Sequence, residues 1–209
     1  MKKIPLIILF CASAAVSGPI EEWDRFEKQV RDQAVSKDSL KKEFSAVYAP
    51  LKEYCGRCPF TAQNHWVFPL RGHGLPDVGK GGFAPGSYYG GSPIKGYDFF
   101  DGNRHGGHPA YDIFIRDNNY DAKDDRTGGP VNVAVPIDLV VISINSQWKS
   151  GSGLRGGNYV WALSPSKDLL FYFAHLDSVF VAGGAFCKAG RCSWEWGLRG
   201  RPSPAFTGG

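Results

Sequence analysis

The chain has 209 residues, of which 43% are hydrophobic and 21% are charged, so its composition is that of a globular protein with one sizeable core. It carries 24 Lys and Arg against 20 Asp and Glu, and no run of basic residues indicates a nucleic-acid-binding surface. The 27 glycines and the aromatic content of 14% favour short strands joined by tight turns over a helical bundle.

The N-terminal residues 1–17 have the three zones of an export signal. Two lysines precede an apolar run at 4–12, and small residues follow it. The run is too short to span a bilayer. Cys11 raises the alternative of a lipoprotein anchor, which Phe10 disfavours because such sites require a small residue there. We therefore expect a signal peptide and an exported protein, periplasmic or extracellular, without a stable membrane span.

Residues 18–65 are predicted to form one or two amphipathic helices that end near a cysteine pair. Their apolar side chains recur at helical spacing, at Trp23, Phe26, Val30, Leu40, Phe44, Val47 and Leu51. Cys55 and Cys58 could form a redox pair, half of a metal site or a local disulfide. We favour the structural bridge, because disulfides persist outside the cytosol and no βαβ context or second ligand pair is evident.

Short strands replace the helical pattern after residue 110. We predict strands at 111–115, 131–135, 139–144, 158–163 and 169–174, with turn residues between them. Short connections without intervening helices predict an antiparallel sheet. The apolar run at 169–174 is expected to be buried on both faces. The predicted fold class is therefore mainly β, with helices at the N-terminus.

Two motifs carry candidate catalytic chemistry. His108 and Asp112 form a His-x-x-x-Asp pair, and His175 ends an apolar strand. Cα atoms four residues apart in an extended strand lie about 13 Å apart, so His108 must lie on a bend, which the neighbouring glycines and proline permit. An imidazole and a carboxylate are zinc ligands, but hydrolytic zinc usually holds three protein ligands and a water. The alternatives are a surface hydrogen-bonded pair and a core histidine.

The order of the motifs resembles that of lysostaphin/LytM-type zinc endopeptidases, which cut peptide cross-links in bacterial peptidoglycan. The matching stretch runs from about residue 68 to residue 188 and contains His108-Pro-Ala-Tyr-Asp112, Val133-Ala-Val-Pro136, Gly157-Asn-Tyr-Val160 and Tyr172-Phe-Ala-His175-Leu176. The resemblance implies a two-sheet antiparallel LytM-like β-fold, a duplicated hybrid motif, over residues 66–190. It also implies that His108 and Asp112 bind zinc and that His175 is a catalytic histidine.

One part of the family pattern is missing. The family's third zinc ligand is the second histidine of a downstream His-x-His pair, whereas none of the five histidines here follows His175. Residues 191–209 are an aberrant tail rich in Trp, Arg, Gly and Pro where that segment is expected. Our hypothesis is a single-base frameshift near the codon for Arg191. Resequencing decides it, because correct nucleotides without a His-x-His in any shifted frame would refute it.

The sequence thus predicts an exported zinc-dependent endopeptidase that acts on the peptide stems of peptidoglycan, with a zinc-activated water as the nucleophile. The alternative is a catalytically inactive LytM-like module that binds cell wall or regulates another hydrolase as its periplasmic protein partner.

Two further features have weaker interpretations. His105 is either a competing zinc ligand or a loop residue. The loop at 116–130 begins like a calcium-binding EF-hand, but Ala122 stands where the turn glycine belongs, so a solvated loop is expected.

Overall fold

The chain folds into two N-terminal helices followed by an antiparallel sheet, as the sequence pattern predicted. The computed structural model describes residues 17–60, 66–74, 83–84, 96–106, 112–113, 115–119, 121, 123–191 and 193–196. For residues 83–84, 112 and 193–196 the backbone alone is described. The predicted signal peptide, apart from Ser17, lies outside the described residues.

The two helices are α1, Pro19–Asp32, and α2, Lys37–Gly56. α1 begins with proline, whose fixed φ suits the first helical position. The hydroxyl of Ser36 accepts a hydrogen bond from the Ser39 backbone N–H and so caps the start of α2. Among the described residues, no helix combines the length and the apolar character needed to cross a bilayer.

The sheet residues follow the helices. In chain order, the described elements are β1 (Phe83–Ala84), a 3₁₀ helix (Phe99–Arg104), β2 (Asp112–Ile113), β3 (Val131–Ala134), β4 (Leu139–Asn145), β5 (Asn158–Ser164), β6 (Leu169–Leu176), β7 (Phe186–Cys187) and β8 (Ser193–Trp196). A four-stranded sheet has the order β6-β5-β4-β7, and β1 pairs with β2. The backbone of β8, within the tail that we expected to be aberrant, pairs antiparallel with β3.

The two faces of the four-stranded sheet are buried against different partners. Val140 and Leu163 face the helices and belong to a core cluster that includes Trp23. Val141 and Val160 face the other way and pack in a second cluster with residues of β3. All five side chains are fully buried. The central strands therefore have apolar side chains on both faces, which produces their continuous apolar sequence.

The prediction that residues 169–174 are buried on both faces is wrong. These residues lie in β6, which is one of the two edge strands of the four-stranded sheet. Leu169 and Tyr172 are each 41% exposed. A continuous apolar run indicates contact on both faces but does not distinguish a central strand from an edge strand whose faces are only partly covered.

The predicted disulfide between Cys55 and Cys58 is also wrong, because both are free thiols. The side chain of Cys55 is buried in the helical core cluster, against which Cys58 packs. Burial raises the pKa of Cys55 to about 12 and also raises the pKa of Cys58. Because the thiolate is the nucleophile and the metal ligand, these protonated thiols do not favour the redox or metal interpretation.

Candidate functional site

His175 lies where the pairing of β5 with β6 becomes irregular. The register shifts between Asn158 and Val160, and the backbone of His175 has a φ of +58°. Its side chain is exposed. A left-handed backbone at a residue other than glycine costs about 1–2 kcal/mol. Such strained positions cluster at functional sites, so this geometry singles out His175 within an otherwise regular strand.

A glycine-containing loop between β4 and β5 holds the backbone of His175. The His175 N–H donates to the carbonyl of Gly156 at 2.8 Å. A Cβ at Gly156 would overlap the hydroxyl of Tyr172, so the loop approaches β6 closely here and a larger residue would displace that side chain. The Asn158 side chain joins the loop between β4 and β5 to the residue that follows β6. It accepts from the Trp148 N–H and donates to the Asp177 carbonyl, each at 2.9 Å.

The first motif is only partly visible. His108 lies outside the described residues, as do residues 107–111 around it. Asp112 is described by its backbone, which lies in β2 opposite Ala84 of β1. The zinc-binding prediction for the His108 and Asp112 side chains therefore stays a prediction.

The segment that leads into the first motif is bonded to the loop beside His175. Arg155 Nη1 donates to the carbonyl of Asn103 at 3.3 Å and to the carbonyl of His105 at 3.2 Å. Arg155 directly precedes Gly156, whose carbonyl holds His175. The backbone entering the first motif and the backbone of the second therefore meet at two consecutive loop residues.

The helices hold the same segment from its other side. Lys37 of α2 forms ion pairs with Asp98 at 2.8 Å and with Asp101 at 2.6 Å. Gly102 has a φ of +49°, and a Cβ there would overlap the carbonyl oxygen of Val30 in α1. The 3₁₀ helix is thus fastened between the helices and Arg155.

A buried polar cluster joins α1 to the sheet. The hydroxyl of Tyr159 donates to Glu27 at 3.0 Å and accepts from Arg31 at 2.9 Å, and Ser143 Oγ donates to Glu27 at 3.2 Å. Burial raises the pKa of Glu27, although the Tyr159 hydrogen bond and the charge of Arg31 oppose that shift. The sequence pattern did not predict this cluster. One available signal was that Glu27 shares a helical face with Trp23.

A second buried pair was also missed. His73 Nε2 lies 3.0 Å from Asp124 Oδ2, with side chains only 7% and 2% exposed. Burial by itself raises the pKa of Asp124, but hydrogen bonds from the Arg126 backbone N–H and from His73 bring it below its ordinary value. The loop at 116–130 is therefore anchored at one buried carboxylate, although most of its described residues are exposed as expected.

The described residues of this loop use their carboxylate and amide oxygens to stabilise its turns. Oxygen atoms of Asp117 and Asn119 accept the backbone N–H of Asp121, so they brace the turn. Within the described ranges, no group of three or more His, Cys, Asp or Glu side chains could hold a metal ion. The EF-hand interpretation therefore gains nothing from the geometry.

Comparison with known proteins returned no relatives. No protein-family model matches the chain, and neither a curated protein nor a solved structure matches it. The likeness to LytM-type endopeptidases therefore depends on the four motif segments and on their order.

Proposed function

We propose that this chain is a zinc-dependent endopeptidase of the LytM type that cleaves peptide cross-links of bacterial peptidoglycan. The observation that carries the proposal is His175, an exposed imidazole on a left-handed backbone at an irregularity between two strands. This residue is the histidine of the Tyr-x-x-His-Leu segment. Backbone strain at a residue that a sequence motif also indicates supports a functional role for it, because strained residues are enriched at catalytic sites.

The position of the first motif gives further support. His105 is bonded to Arg155, and His175 is bonded to Gly156, the next residue. His108 follows His105 by three residues, so its Cα lies within about 11 Å of the His105 Cα at the greatest extension of the chain. An approach of His108 to His175 is compatible with these bonds.

The fold supports the same family at a coarser level. The four-stranded antiparallel sheet contains β5 and β6, which carry the Gly157-Asn-Tyr-Val160 and Tyr172-Phe-Ala-His175-Leu176 segments. We propose that this sheet is the central sheet of a LytM-like duplicated hybrid motif, with the β3 and β8 pair as part of its second sheet. The helical layer would then be an addition to that fold.

Zinc fits the chemistry of the predicted donors. The imidazole of His108 and the carboxylate of Asp112 would hold the ion, since both groups are common zinc ligands. When bound, zinc lowers the pKa of a coordinated water and polarises the scissile carbonyl. In its neutral form, the exposed His175 imidazole would accept a proton from the water that attacks the scissile carbonyl. We therefore expect the activity to fall in acid, where imidazoles are protonated.

A second candidate follows from the missing ligand. Residues 176–209 contain no histidine, so these residues offer no counterpart of the third ligand expected from the family. This observation favours a non-catalytic LytM-like module that binds cell wall or regulates a separate hydrolase. Such a module would keep the fold and lose the metal.

Metal content and peptide release from purified peptidoglycan separate the two candidates. For the enzyme we expect about one zinc per chain, release of peptide fragments, and loss of both in His108→Ala and in Asp112→Ala. His175→Ala should retain zinc and lose release, and His65→Ala serves as a matched control outside the motifs. A folded, metal-free chain that sediments with peptidoglycan without cleaving it would overturn the enzyme and support the module.

A further inference from the structure

We propose that Arg155 is a positioning residue that holds the segment entering the His108 motif beside His175. The inference deepens the proposed function and rests on it for its catalytic meaning. Arg155 lies in the loop between β4 and β5, outside every motif that the family resemblance supplied.

The bonds of Arg155 suit this role. Its Nη1 donates to the carbonyls of Asn103 and His105, at the end of the 3₁₀ helix. Carbonyl groups at the end of a helical segment lack partners within it, and a guanidinium can donate to them. A guanidinium stays protonated at all relevant pH values and presents its donors in a fixed plane. Arg155 therefore bonds this backbone without depending on pH.

The neighbouring residue links the same loop to the second motif. The Gly156 carbonyl accepts the His175 N–H at 2.8 Å. Because a side chain at Gly156 would overlap the Tyr172 hydroxyl, the loop lies in close contact with β6 at this point. A displacement of His105 away from Arg155 is thus a displacement relative to His175.

The fold should survive the loss of Arg155. Lys37 and its two aspartate partners hold the start of the 3₁₀ helix independently, and Gly102 packs on the Val30 carbonyl. Arg155 itself is exposed, so replacing it leaves no buried charge unpaired. Its effect should therefore be local to residues 103–106 and to the motif that follows.

Amide hydrogen exchange on the full chain tests the positional claim. The His105 N–H, bonded to the Gly102 carbonyl at 3.1 Å, is a reporter. In Arg155→Met we expect exchange over residues 103–106 to accelerate at least tenfold, with an intermediate effect in Arg155→Lys and an unchanged melting temperature. Arg57→Met is the matched control, because Arg57 and its partner Glu53 are each 72% exposed in a surface ion pair. Equal exchange in Arg155→Met, Arg57→Met and the unsubstituted chain would overturn the proposal.

Zinc titration tests the consequence for the site. We expect Arg155→Met to weaken zinc binding about tenfold, as is usual for groups that orient metal ligands without touching the metal, whereas Arg57→Met should leave it unchanged. Accelerated exchange with unchanged zinc affinity would remove the positioning role. If the unsubstituted chain binds no zinc, the proposed function fails, while the exchange comparison still decides whether Arg155 holds this segment.

Discussion

The face of the sheet under α1 and α2 is closed by fully buried aromatic and aliphatic side chains, whereas the end of β6 carries an exposed histidine on a strained backbone. The helical layer gains stability from area removed from water. The corner formed by Gly156 and His175 instead has an irregular register and exposed side chains. The helical layer is therefore packed for stability, whereas the end of β6 exposes a residue with a strained backbone.

Removal of a central side chain from the helical layer should lower the free energy of unfolding most. Trp23 is fully buried among the rings of α1, α2 and the 3₁₀ helix. We expect Trp23→Ala to lower the free energy of unfolding by about 3–5 kcal/mol in urea denaturation. The matched control, Trp66→Ala, should cost below about 1 kcal/mol because Trp66 is 58% exposed. Equal losses at the two positions would contradict the comparison.

The next largest loss of stability should come from a glycine contact between the 3₁₀ helix and α1. Gly102→Ala places a Cβ against the Val30 carbonyl on a left-handed backbone, and we expect it to destabilise by about 2–4 kcal/mol. Gly56→Ala is the control, because nothing lies near its Cβ and helix propensity favours alanine by about 0.5–1 kcal/mol. Thermal melts should move in opposite directions. A stable Gly102→Ala chain would show that the 3₁₀ helix is not tightly held.

The polar cluster beneath α1 should give a smaller, pH-dependent effect. Tyr159→Phe removes a hydrogen bond to buried Glu27, and we expect a loss of about 1.5–3 kcal/mol near neutral pH. Burial raises the pKa of Glu27 above 4.5, so its contribution to stability is complete below that pH and is lost as the pH rises through the folded-state pKa. Tyr159→Phe should raise that pKa further.

The loss of unfolding free energy caused by Tyr159→Phe should therefore be smaller in acid and larger near neutral pH. Urea denaturation across this range measures it, with Tyr54→Phe as the control at an exposed tyrosine. A deficit independent of pH would mean that Tyr159 does not stabilise the ionised form of Glu27.

Substitutions that relieve the backbone strain at His175 should change the free energy of unfolding least. Because glycine adopts positive φ without strain, His175→Gly should be more stable than His175→Ala by about 1 kcal/mol. At the preceding residue the sign should reverse, with Ala174→Gly losing about 0.5–1 kcal/mol. Chemical denaturation of the four proteins compares the positions. A His175→Gly chain less stable than His175→Ala would show that this corner is not strained.

The sequence pattern predicted the positions of the helices and strands better than it predicted the burial of their residues. Apolar spacing located both helices, and the strands in β3 to β6 agree closely with the predicted ranges, because period and turn chemistry are local properties. The burial predicted for Leu169 and Tyr172 was wrong, because the order of strands in the sheet decides how much of an apolar strand is covered by other residues. It also missed Asp124, whose burial depends on His73, 51 residues earlier in the chain.

The sequence by itself determined the residue types of the two motifs, their order, and the period that makes one region helical and another extended. Tertiary structure decided that β6 is an edge strand, that Glu27 is buried beneath Tyr159, and that His175 has a left-handed backbone. The physical reason is distance along the chain. Glu27 and Tyr159 are 132 residues apart, and contacts of that kind form only when the helical layer packs against the sheet.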